Sequence, residues 1–211
     1  MIVVLGRPAL VHHTTGHASL AGVAARVASA AAAAGSRVEL VGSIGDDPGG
    51  DRAVVALGQA GVGHAALLRD PAGATPSGDP GGPLPRLDAA DVELGLRYLT
   101  EFRVLVIADE LDDEAARAAM DAAAFHEAAV VALVAHGHQV PTAFGTVVTV
   151  LEIPPADDAD DPDRAGGDAA SPEAFIALVA RYAVALDAGR SPAEAFADAA
   201  RESGWERAQG A

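Results

Sequence analysis

Short apolar runs rich in β-branched residues recur at 2–5, 38–41, 104–108, 130–134 and 147–153, and stretches with helical spacing separate them. This alternation constrains the fold more than any other feature of the chain. Strands joined by helical crossovers pair in parallel, and a parallel sheet needs helices on both faces. The runs at 2–5, 104–108 and 130–134 are apolar at successive positions, as strands buried on both sides require. The expected fold class is therefore α/β: three α/β/α layers around a mostly parallel sheet. One domain over 1–211 is expected, because half of the 211 residues are hydrophobic and a sizeable core follows.

Between the strands, residues 18–34 read as an alanine-rich helix ending at Gly35, and 48–60 as a second ending at Gly61. Asp88 caps a third running to about residue 102, with Val92, Leu96 and Leu99 on one face. Asp112 or Asp113 caps a fourth, to about residue 125. The last third is helical. Ser171-Pro172-Glu173 supplies a cap, a proline at the first helical position and an early acid. Phe175, Leu178, Val179, Tyr182 and Leu186 then share a face before Gly189, and Ser191 with Glu194 forms a capping-box pattern for a final helix. Segments near 71–86 and 154–171 are dense in Gly, Pro or Asp and read as exposed, flexible connections.

What is missing excludes whole chemistries. There is no cysteine, so disulfides, thiolate nucleophiles and Cys-ligated zinc are ruled out. All 14 basic residues are arginine; without lysine there is no Walker-type phosphate loop and no Schiff base. The net charge of −16, with no basic stripe to offset it, disfavours nucleic acid and anionic membranes. No apolar run is long enough to span a bilayer, and "MIVVLGRPAL" lacks a basic leader and reads as a first strand. A cytoplasmic location is expected.

The segment 21–62, "AGVAARVASAAAAAGSRVELVGSIGDDPGGDRAVVALGQAGV", resembles the N-terminal signature of the ribokinase-like (PfkB) carbohydrate kinases. That signature is a Gly-Gly turn, an alanine-rich helix, a strand, then Val-Gly-x-(Val/Ile)-Gly-Asp-Asp and a helix closing at Gly-Val. Residues 41–47, "VGSIGDD", carry the likeness most closely, and "GRPAL", "LDAADVELG", "DELDDEAARAAMDAA" and the tail from "ALDAGRSPAEAF" to the closing Gly-Ala extend it. The resemblance implies transfer of the ATP γ-phosphoryl group, with Mg²⁺, to a sugar or nucleoside hydroxyl. It makes Gly22, Arg26, Gly45 and Asp46 the substrate-pocket candidates. Such transfer needs a base for the attacking hydroxyl, donors for the developing charge, and a metal between phosphates. The family supplies base and donors with a Gly-Ala-Gly-Asp motif at a helix N-terminus.

The chain departs from that pattern where the chemistry would sit. The aspartate that holds the sugar after strand one is replaced by Val11, and the asparagine after the Gly-Gly turn by Arg26. Pro155 or Ala156 falls at the asparagine of an Asn-x-x-Glu element, where Asp158 could replace only the acid. Ala165-Gly166-Gly167-Asp168 is a scrambled echo of the catalytic motif. Asp168 lies 21 residues before Gly189, farther than the family spacing, whereas Glu173 in the alternative register has Pro172 before it and no anion-hole glycines. Lid strands are expected to be missing, since neither "VHHTTGHAS" nor 71–85 alternates like a strand.

Two readings follow. One is a degenerate member with little or no kinase activity that retains small-molecule or partner binding. The other is a minimal kinase with Asp168 as base, Gly166 and Gly167 as anion hole, and ATP and Mg²⁺ as cofactors. His12, His13 and His17, with His136 and His138, follow predicted strands and could hold zinc or another transition metal at the sheet's carboxyl edge. Their spacing matches no metal motif, and ordinary loop histidines are the default. Asp46 and Asp47 read most simply as helix-start acids, the Asp run at 157–163 as solvated linker, and Trp205 as packing for the tail. No metal site is assigned, and any homodimer is expected to use apolar helix faces in place of a lid.

Overall fold

The structure, a computed structural model, describes residues 1–12, 18–78, 82–146, 148–154, 171–203 and 205. Its frame is a six-stranded sheet in the order β5-β4-β1-β6-β7-β8, with every pairing parallel. The strands are β1 (Ile2–Leu5), β4 (Val38–Gly45), β5 (Leu67–Asp70), β6 (Val104–Ile107), β7 (Ala129–Ala135) and β8 (Thr149–Ile153). The helices are α1 (Val23–Ala33), α2 (Pro48–Gln59), α3 (Ala89–Arg97), α4 (Asp113–Phe125), α5 (Pro172–Asp187) and α6 (Pro192–Ser203), with a 3-10 turn at Thr142–Phe144.

The side-chain period of two explains how a continuous apolar run builds two cores. In β1, Ile2 and Val4 pack on one face with α1, α5 and α6; Val3 and Leu5 pack on the other with α3 and α4. All four are fully buried. β6 divides in the same way, Val104 and Val106 from Leu105 and Ile107. This is the three-layer α/β/α architecture expected from the sequence.

Caps set several boundaries. Asp47 begins α2, Asp88 and Asp91 form a capping box on α3, Asp112 accepts from the N–H groups of Glu114 and Ala115, and Ser171 accepts from Ala174. Other expectations need correction. Helix α1 starts only at Val23, because 18–21 is strand and Gly22 turns the chain at φ 74°. Helix α3 stops at Arg97; Leu99 and Phe102, buried beyond it, belong to the descent into β6. β5, paired with β4, lies outside the expected strand runs.

The insertion after β1 is corrected too. β2 (Ala9–His12) and β3 (Ala18–Ala21) form an antiparallel pair, a short two-stranded stub where no lid strand is expected. It packs against α1 and α2. Among the described residues, 71–86 adds to it only one bridge, between Leu10 and Ser77. That segment is also not wholly an exposed connection. Thr75 and Pro85 are buried, and Asp70 accepts hydrogen bonds from the N–H groups of Ala72 and Arg86.

Candidate functional site

Strand order fixes where ligands approach. The chain steps from β1 outward to β4 and β5, then returns to the far side of β1 and steps through β6, β7 and β8. The reversal falls between β1 and β6, so a crevice opens at their carboxyl ends, where open α/β sheets bind ligands. Here that crevice is filled by an ion pair. The Arg7 guanidinium meets Asp109 through two bonds, Nε to Oδ2 at 2.8 Å and Nη2 to Oδ1 at 2.7 Å. Arg7 N–H adds a third at 2.8 Å, and its Nη1 reaches the Pro85 carbonyl at 3.3 Å. Both side chains are largely buried. The hydrogen bond to Asp109 outweighs the cost of burial and holds the guanidinium above its usual pKa.

The "GSIGDD" stretch is explained by packing. A Cβ at Gly42 would lie 2.1 Å from the Gly6 carbonyl oxygen, so β4 passes the end of β1 only without a side chain. Gly45 donates its N–H to Thr75 Oγ1 at 3.0 Å, and Cβ at this position would meet Asp47, Gly73 and Thr75 within 2.8 Å. Asp47 is the hub. It accepts from Gly50 N–H at 2.7 Å, Thr75 N–H at 2.8 Å and the Thr75 hydroxyl at 2.9 Å. Burial alone would raise the Asp47 carboxyl; the bonds from Thr75 and Gly50 prevail and keep it below the usual carboxylate range. Asp46 points outward and pairs with Arg69 at 3.5 Å.

The remaining candidates lie at helix starts. Gly22 is the N-cap residue of α1, with no side-chain cap, and faces Ala9 of β2. Arg26, in the next turn, pairs with Glu173 in the first turn of α5 at 3.1 Å, which joins the N-termini of two helices. Val11 is 38% exposed on β2. Gly166, Gly167 and Asp168 lie outside the described residues, as do Pro155, Ala156 and the Asp run at 157–163. The described first turn of α5 does not fit a nucleotide phosphate. Ser171 already takes the Ala174 N–H, Pro172 has no N–H, and Glu173 adds negative charge.

Both described histidines of the clusters pair with carboxylates, His136 with Glu152 at 2.8 Å and His138 with Glu110. His13 and His17 lie outside the described residues, as does the side chain of His12. Among the described residues no three His, Asp or Glu side chains come together as metal ligands.

Beside the filled crevice, a cavity of about 300 Å³ opens between the carboxyl ends of β6 and β7. Ile107, Leu111, Leu133 and Phe144 give it an apolar floor, and Asp109, Glu110, His138 and Gln139 a polar rim. Sequence reading did not single out this cavity or the Arg7–Asp109 pair. The signals present were an acidic pair directly after one strand run and "HGHQ" after the next.

No protein-family model and no curated protein sequence matches the chain. Solved structures do match. The PfkB protein from Polaromonas sp. JS666 superposes with a TM-score of 0.62 at 17% identity, covering 96% of this chain and 94% of that one. Arabidopsis thaliana ribokinase, complexed with ribose and ATP, gives 0.60 at 15% over 96% and 90%. A carbohydrate kinase from Agrobacterium tumefaciens gives 0.60 at 15% over 96% and 89%. No helix among the described residues is long and apolar enough to cross a membrane. Sheet order, flanking layers and these superpositions agree that the chain has a ribokinase-like fold.

Proposed function

We propose that this chain is a degenerate ribokinase-like protein that binds a small molecule at the carboxyl edge of its sheet without transferring phosphate. The observation that carries the reading is the Arg26–Glu173 pair, which links the N-terminal part of α1 to the first turn of α5. The resemblance implies an acceptor pocket near Gly22 and Arg26 and phosphate donors at the N-terminus of the helix that follows the catalytic motif. Here the carboxylate stands at the pole where a transferring phosphoryl group needs donors. Val11, in place of a sugar-binding aspartate, removes the acceptor's polar partner as well. The Arg7–Asp109 pair further occupies the switch-point crevice.

The loss is consistent in electrostatic terms. Phosphoryl transfer is positioning plus charge stabilisation, so an acid at the anion pole raises the barrier that the site exists to lower. Binding needs less, and the cavity between β6 and β7 supports it: apolar floor, few polar groups, and a place at the strand ends. The neighbours include a ribokinase complexed with ribose and ATP and a putative ribokinase II in complex with ATP and Mg²⁺. Sugars and nucleosides are therefore the first ligands to try.

The test is ADP release with Mg²⁺, ATP and a panel of sugars and nucleosides. The reading predicts none above background. Turnover that disappears in Asp168→Ala would overturn it and establish a minimal kinase with Asp168 as base and Gly166 and Gly167 as anion hole.

A further inference from the structure

The β6–β7 cavity has a character of its own. Its volume of about 300 Å³ has room for on the order of ten water-sized groups, enough for a small ring with a short tail. The floor of Ile107, Leu111, Leu133 and Phe144 offers no hydrogen bond, so a ligand made only of hydroxyls would leave its polar surface unsatisfied there.

Charge decides the polar end of the ligand. Among the described residues the rim has two carboxylates and no arginine of its own. Asp109 is neutralised by Arg7, bound through both of its oxygens. Glu110 is exposed at the mouth, where it pairs with His138. Arg7 is spent on Asp109, and the N-terminus of α4 is already capped by Asp112 through the N–H groups of Glu114 and Ala115. The whole chain carries −16. A phosphate or carboxylate is repelled from this mouth, and an ammonium group is drawn to it.

We infer that the β6–β7 cavity is a binding site for a small cationic amine with an apolar body, held by Glu110 at its ammonium end and by Leu111, Leu133 and Phe144 along its body. The inference rests on the preceding reading only in placing small-molecule binding at this sheet edge. It replaces the sugar or nucleoside with a different ligand class.

The experiment is calorimetric titration of the full chain with 2-phenylethylamine, 2-phenylethanol and phenylacetate, with ribose and AMP alongside and no ATP present. The amine is expected to saturate at one per chain and phenylacetate to bind at least about tenfold more weakly. Glu110→Gln, at an exposed position that folding tolerates, should weaken the amine about tenfold and leave the alcohol unchanged. Glu152→Gln removes a comparable histidine-paired carboxylate outside the cavity and should change nothing. The inference is overturned if the amine shows no saturable binding, if phenylacetate matches it, or if Glu110→Gln binds like wild type. Kinase turnover in the separate ADP assay would overturn the preceding reading and leave these titrations intact.

Discussion

Removing the Asp47 carboxylate tests whether the glycine- and aspartate-rich loop is a structural clamp. The side chain accepts from Gly50 N–H, Thr75 N–H and the Thr75 hydroxyl at 2.7, 2.8 and 2.9 Å, and Thr75 is 6% exposed. Asp47→Ala loses the α2 cap, worth about 1 kcal/mol. It also leaves the Thr75 N–H buried without a partner, at about 1–3 kcal/mol. The expected loss is about 2–4 kcal/mol, read by urea unfolding, with a Tm lowered by roughly 5–15 °C for a chain of this size. Asp47→Asn keeps an acceptor and should fall between wild type and alanine. The pH dependence has a definite sign. A carboxyl held below its usual range in the folded state adds stability that is complete above its unfolded pKa, about 3.9. That stability is lost as pH falls through the folded value, so the gap between wild type and Asp47→Asn should close in acid. A loss below about 1 kcal/mol for alanine, or a gap that does not depend on pH, would refute the clamp.

Other substitutions test neighbouring parts of the argument. Gly42→Ala forces a Cβ to within 2.1 Å of the Gly6 carbonyl and should cost about 3 kcal/mol or more, or prevent soluble expression; a stable Gly42→Ala would contradict the close approach. Arg7→Ala and Asp109→Ala should each destabilise by about 2–4 kcal/mol, and the double variant should cost less than their sum, since each single change leaves a largely buried charge unpaired. Arg26→Asn and Glu173→Gln break a pair whose side chains are 34% and 76% exposed, so each should shift stability by less than about 1 kcal/mol. Neither change should bring ADP release above background.

Much of the scaffold was legible because its signals are local. The runs that become β1, β6 and β7 are apolar on both faces, and Asp47, Asp112 and Ser171 mark helix starts by short-range hydrogen bonds. What escaped depends on distant partners. "LLRD" is short and carries two charges, and it becomes β5 only by pairing with β4. "ALVH" and "ASLA" become a hairpin through each other and through packing on α1 and α2, against the helical propensity of alanine. Thr75 sits in a stretch dense in Gly and Pro and is buried only because Asp47, 28 residues away, binds it. The Arg7–Asp109 pair spans 102 positions, and nothing local to "GRPAL" or "DELDDEAARAAMDAA" links one to the other. The cavity is likewise assembled from two strand ends and a 3-10 turn.

The central claim of the proposal is that the scaffold is kept while phosphoryl transfer is lost. Calorimetric titration of the full chain with ATP and Mg²⁺ tests it most directly. The account predicts no saturable binding, or a Kd weaker than about 1 mM. One-to-one binding with a micromolar Kd, abolished by Asp168→Ala together with Gly167→Ala, would contradict it.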